Sequence, residues 1–138
     1  GGMSQGQRLC SIQPTFTVQE WSKAEAIMAD LIERSGKAKD CLWLGWTRTG
    51  DQPGDKLYCR QAFSSAKGVL EQIETSREAI GQLVAEGVAT LDRVEVHTPL
   101  SQMSECKTAF NGLDVGAVYF TLDSGFQKFE SVRLGGIS

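Results

Sequence analysis

The chain holds one histidine, three prolines and four cysteines, Cys10, Cys41, Cys59 and Cys106, with no Cys-x-x-Cys pair among them. That spacing fits neither a zinc site nor a dithiol redox motif, and with a single imidazole no metal site is expected. The cysteines read instead as reduced, buried small hydrophobes. No apolar run approaches the roughly 18 residues that span a bilayer, so no membrane partner is expected. The 14 basic residues are scattered against 17 acidic ones, for a formal net charge of −3, and the clustered positive footprint of a nucleic-acid binder is missing. A glycine-rich phosphate loop is also absent. Gly50 to Asp55 contains Pro53 and two acids, which suits a hairpin turn and repels phosphate, so neither a nucleotide nor a flavin cofactor is expected. Gly1-Gly2 ahead of Met3 reads as the remnant of a cleaved tag, and Ser4 to Arg8 has no signal-peptide apolar region, which points to the cytoplasm.

What the 138 residues do contain, at 41% hydrophobic and 22% charged, suits one globular domain. It is expected over residues 10–126, between a disordered start at 1–9 and a tail at 127–138. Cys10, Ile12 and Phe16 alternate with polar residues as in a half-buried strand, and Pro14 implies an edge or a bulge there. Thr17 to Glu20 has capping-box spacing ahead of a helix carrying Trp21, Ala24, Ile27, Met28, Leu31 and Ile32, with Gly36 as its stop. Cys41 to Thr49 and Lys56 to Phe63 flank the Gly50–Asp55 turn as a hairpin. Ser64 or Ser65 can cap a second helix with Val69, Leu70, Ile73, Ile80, Leu83 and Val84 on one stripe, irregular near Thr75-Ser76 and ended by Gly87. Leu91 to His97 forms a fourth strand, with Val94 and Val96 opposite Arg93, Glu95 and His97. Thr98-Pro99 starts a third helix, Ala117 to Leu122 is a fifth strand, and Phe126 and Phe129 are expected to dock on the body.

The order β-α-β-β-α-β plus a further α-β unit is that of an α+β, ferredoxin-like split βαβ domain with an added αβ unit, its helices on one face of an antiparallel sheet. The other face is expected to carry Trp, Val and Leu side chains. A face-to-face homodimer would cover them. Trp43 and Trp46 differ by three and should point to opposite faces, one toward the helices and one toward the partner copy.

In this order the chain resembles the antibiotic-biosynthesis-monooxygenase-like domains of the dimeric α/β-barrel superfamily, through Asp40-Cys41-Leu42-Trp43-Leu44-Gly45-Trp46-Thr47-Arg48, Tyr58-Cys59-Arg60-Gln61-Ala62-Phe63 and Leu91-Asp92-Arg93-Val94-Glu95-Val96-His97. The resemblance implies a dimeric barrel and oxygenation of an activated phenol or enol without metal, flavin or other cofactor. Family members often carry a glutamate on strand three and a histidine in the second helix. The matching positions here are Gln61 and Gln72, amides that can hydrogen-bond a substrate but cannot take its proton.

His97, the single imidazole, is then the candidate catalytic base, with Gln61 or Gln72 holding an oxyanion; the alternative is a strand-end residue bonded to local backbone. Trp43, Cys59, Gln61, Phe63 and Gln72 are assigned to the wall of a substrate cleft between sheet and helices. Cys59 reads either as a nucleophile served by His97 or as an inert buried thiol. The expected function is a homodimeric small-molecule-binding protein resembling cofactor-independent monooxygenases, with an aromatic or polyketide-like ligand. The alternative is a non-catalytic ligand-binding or stress-response module.

Overall fold

A computed structural model describes residues 9–125. The strands are β1 (Cys10–Val18), β2 (Cys41–Arg48), β3 (Asp55–Phe63), β4 (Ala89–Thr98) and β5 (Ala117–Thr121), and the helices are α1 (Trp21–Gly36), α2 (Ala66–Ala85) and α3 (Met103–Phe110). The sheet order is β2-β3-β1-β4-β5, the ferredoxin-like arrangement with one strand added. Four strands are antiparallel, as expected, and β5 joins β4 in parallel because its connection crosses over through α3. Phe126 and Phe129 lie outside the described residues.

Burial in β1 alternates without interruption: Cys10, Ile12, Pro14, Phe16 and Val18 are buried beneath the helices, while the residues between them face the other side. β1 is a central strand, so Pro14 is not at an edge. The ladder to β3 passes from Ile12–Gln61 to Thr15–Tyr58, and the ladder to β4 shifts register between Thr15 and Phe16, leaving Asp92 as a bulge. Pro14 keeps its place opposite Val94 in the β4 ladder, and its missing donor coincides with the break in the β3 ladder at Gln13 and Pro14.

Three helix starts differ from their sequence signals. Thr17 stays in β1 and donates its hydroxyl to Asp92 at 2.6 Å, so it caps nothing, and α1 begins at Trp21. Trp21 is anchored instead, its indole N–H donating to the Gln52 carbonyl at 2.8 Å with the Arg48 guanidinium 4.5 Å above the ring. At α2 the Ser65 side chain makes no cap; the amide oxygen of Gln102, from the turn before α3, accepts the Ala66 N–H at 2.6 Å. Pro99 leads first into a 3₁₀ turn, Leu100–Gln102, and only then into α3. The irregularity expected at Thr75-Ser76 is taken up within a continuous helix, where the Ser76 hydroxyl donates to the main-chain carbonyl of Gln72 at 2.7 Å.

The core falls into two clusters, one around Phe63, Val69, Val96 and Phe110 and the other around Phe16, Trp21, Leu57 and Leu83. The open face is less apolar than expected and carries no leucine at its centre. Its middle holds Gln13, Thr15, Arg60, Arg93 and Glu95, with Trp43 and Tyr58 toward one edge and Val118 and Phe120 at the other.

Asp92 ties this face together, accepting from Thr17 and from the Lys56 ammonium at 3.1 Å. Partial desolvation opposes its ionisation, but the Thr17 and Lys56 bonds outweigh that and hold the carboxyl below its usual value. A carboxyl lowered in the folded state stabilises above its unfolded pKa of about 3.9 and loses that contribution as pH falls through the folded value. Asp92→Asn should therefore unfold at lower temperature than the parent at pH 7, and the two melting temperatures should converge in acid. A gap that persists unchanged below the carboxylate range would assign the effect to packing.

Candidate functional site

Between the sheet and α2 lies a cavity of about 500 Å³. Its floor is the helix-facing side of β1, β3 and β4, including Ile12, Phe16, Cys59, Gln61 and Val94; one wall is α2, and the other is the segment from Phe110 to Val115. It draws on both core clusters and is mostly apolar, the usual character of a small-molecule site. Two charged side chains, Arg77 on α2 and Asp114 beyond α3, stand at its exposed rim.

The polar atoms inside form an ordered set. Gln61 on β3 and Gln72 on α2 are both buried, and the Gln72 amide nitrogen donates to the Gln61 carbonyl at 3.0 Å and to the Ser35 hydroxyl of α1 at 2.9 Å. Both N–H groups of Gln72 are thereby used, and its carbonyl oxygen has no partner. The buried indole N–H of Trp46 is likewise unpartnered. Burial pushes the Cys59 thiol up to about 12, reinforced by nearby Cys41, so it stays protonated at neutral pH and is no nucleophile.

Of the residues expected in the cleft, Cys59, Gln61 and Gln72 line the cavity. Phe63 is fully buried in the core beside it and does not reach it. Trp43 and His97 are on the opposite face of the sheet. His97 pairs across from Ser11 and Phe120, bonds Glu95 at 3.1 Å and stacks on the Phe120 ring at 4.7 Å. The sheet separates it from the cavity, so the assignment of His97 as base for a substrate held there is corrected.

Trp46 takes the place expected for Trp43, and a bulge is the reason. Counting a regular ladder from the Cys41–Phe63 pair would set Trp43 opposite Gln61, on the cavity side. The ladder instead skips Leu42, placing Trp43 opposite Ala62 and Trp46 opposite Cys59. On the open face Trp43 lies under the Arg60 guanidinium, 5.8 Å from the ring centroid. Sequence reasoning also missed Ser35, Ser76 and Gly81. The first two carried no signal beyond helix polarity. Gly81, mid-helix where glycine costs about 1 kcal/mol relative to alanine, was a readable one.

No protein-family model matches the chain, and no curated protein matches it in sequence. Solved structures do match. MupZ from Pseudomonas fluorescens superposes with a TM-score of 0.75 at 24% identity, over 88% of this chain and 95% of that one. SnoaB, a cofactor-independent oxygenase from Streptomyces nogalater, gives 0.53 at 9% identity over 64% and 90% of the two chains. A candidate antibiotic biosynthesis monooxygenase from Chloroflexus aurantiacus gives 0.51 at 15%, over 67% and 93%. Identities this low speak for architecture alone, and on that ground the chain has the α+β, ferredoxin-like fold of antibiotic-biosynthesis-monooxygenase-like domains.

Proposed function

We propose that the protein is a homodimer that binds a mainly apolar, aromatic or polyketide-like molecule in the cavity between sheet and helices. The observation that carries this reading is the cavity itself, about 500 Å³ within a 15.0 kDa chain. Protein interiors leave few voids larger than a water, and a hollow of this size lined by Ile, Leu, Val and Phe is what an apolar ligand fills. Its polar lining is sparse and convergent, as orienting groups are.

Catalysis by cofactor-free oxygenation is the second reading, favoured by the fold shared with SnoaB. It asks the protein to remove a proton from the substrate. Inside the cavity the candidates are amides at Gln61 and Gln72 and a thiol at Cys59 that holds its proton, so binding leads. The homodimer is supported by the open face, where Trp43, Tyr58, Val118 and Phe120 are each more than a third exposed at the two edges of a polar strip. A two-fold pairing of that face with itself would cover the aromatics and set Arg60 and Arg93 against Glu95.

Gly81 offers the direct test, since it lines the cavity and a Cβ built on it meets no atom within 4 Å. Gly81→Phe should fold normally and weaken binding of 2-acetylnaphthalene, followed by fluorescence, by about tenfold or more, because forcing a side chain into occupied space costs ~1–3 kcal/mol. Unchanged affinity would place the probe elsewhere. Light scattering should give twice the 15.0 kDa chain mass, and a concentration-independent monomer would remove the dimer. In the folded protein at neutral pH, Cys59 should resist iodoacetamide and react on unfolding, as read by mass spectrometry. Rapid labelling of the folded form would reopen nucleophilic catalysis.

A further inference from the structure

Among the described residues, the buried side-chain polar atoms without a hydrogen-bond partner are the Trp46 indole nitrogen and the Gln72 carbonyl oxygen, and both residues line the cavity. Buried polar groups are nearly always paired, because each one left alone forfeits its solvation without return. The two residues line a single hollow, and their unpartnered atoms, one donor and one acceptor, describe the polar chemistry that would complete it. We infer that Trp46 and Gln72 form a two-point clamp that selects a ligand carrying an oxygen acceptor for the indole N–H and a protonated hydroxyl for the amide carbonyl.

This rests on the binding reading above and adds the polar chemistry of the ligand. The two points come from opposite sides of the cavity, Trp46 from β2 at the sheet edge and Gln72 from α2. Each is fixed by its surroundings. Trp46 packs 6.4 Å from the Phe16 ring, and the Gln72 amide is held by its two donated bonds, to the Gln61 carbonyl and to the Ser35 hydroxyl. The Gln72 carbonyl can only accept, which requires that the ligand hydroxyl keep its proton; a phenolate there would meet an oxygen lone pair. The titratable side chains lining the cavity are Cys59 of β3, protonated, and Arg77 and Asp114 at the rim, so no charge inside compensates an ionised ligand at the clamp.

Three neutral probes of one shape separate the two contacts: 6-acetyl-2-naphthol has both groups, 2-acetylnaphthalene lacks the hydroxyl, and 6-ethyl-2-naphthol lacks the carbonyl. Titrated by fluorescence into the unaltered full chain, the first should bind more tightly than either of the others, by about 5- to 150-fold for each contact relieved. Trp46→Phe should erase the preference for 6-acetyl-2-naphthol over 6-ethyl-2-naphthol while keeping its preference over 2-acetylnaphthalene. Gln72→Met should do the reverse. Because Gln72→Met also strips Gln61 and Ser35 of a partner, the comparison on the unaltered protein decides alone if that variant does not fold. Equal affinity for all three probes would overturn the clamp and leave the binding cavity standing. Failure of every probe to bind would overturn the binding reading and the clamp with it.

Discussion

A β-strand sends successive side chains to opposite faces, and in this domain one face is sealed by helices while the other is open, so each residue's chemistry depends on the parity of its position. In β1 the rule holds from Cys10 to Val18 without a break. Because β1 is central, it imposes its parity on β3 through Ile12–Gln61 and on β4 through Ile12–Val96, and Gln61 goes inside while His97 goes outside. The single imidazole is thus excluded from the cavity by the pairing of the strand that carries it.

The cavity's internal polarity follows from the same constraint. An amide on the sheet at Gln61 needs a partner in the dry layer, and Gln72 supplies it from α2 while reaching on to Ser35 of α1. The sheet, α2 and α1 are joined by this short relay of neutral groups. A charged residue in either glutamine position would have to be desolvated without a counter-charge on the cavity floor, which is costly. Amides give direction to the cavity's polar lining without titrating.

Element order and type were legible from the sequence because the apolar periods are clean: the three-and-four spacing of Trp21, Ala24, Met28 and Leu31 in α1 and the alternation in β1 and β4 leave little choice. Cys59 and Gln61 were legible as cavity residues because they lie on the buried parity of β3, and Gln72 only through the family resemblance, since the apolar stripe of α2 passes it by. Illegible were the features that depend on pairing between distant segments. The bulge at Leu42 chose Trp46 over Trp43, the Gln102 cap on α2 spans 36 residues, and Thr17 looked like a cap because its Asp92 partner lies 75 residues on. On α2, Leu70 and Val84 are 44% and 40% exposed while Gln72 and Ala79 are buried, an outcome set by how the helix rests on the sheet.

The ladder between β2 and β3 keeps one register from Trp43 to Arg48, running down to the turn that joins the strands, and changes only beyond Trp43. The parity of Trp46 is therefore inherited from the turn over residues 49–54, although none of those residues touches the cavity. In hairpins, turn length sets register. Over evolutionary time such a turn would tolerate changes of residue type, whereas gain or loss of a single residue that slipped the ladder by one would exchange the indole that lines the cavity. The make-up of the cavity wall is then exposed to insertion and deletion at a surface loop remote from it, a route by which related chains would come to line the same hollow differently without a substitution in the wall.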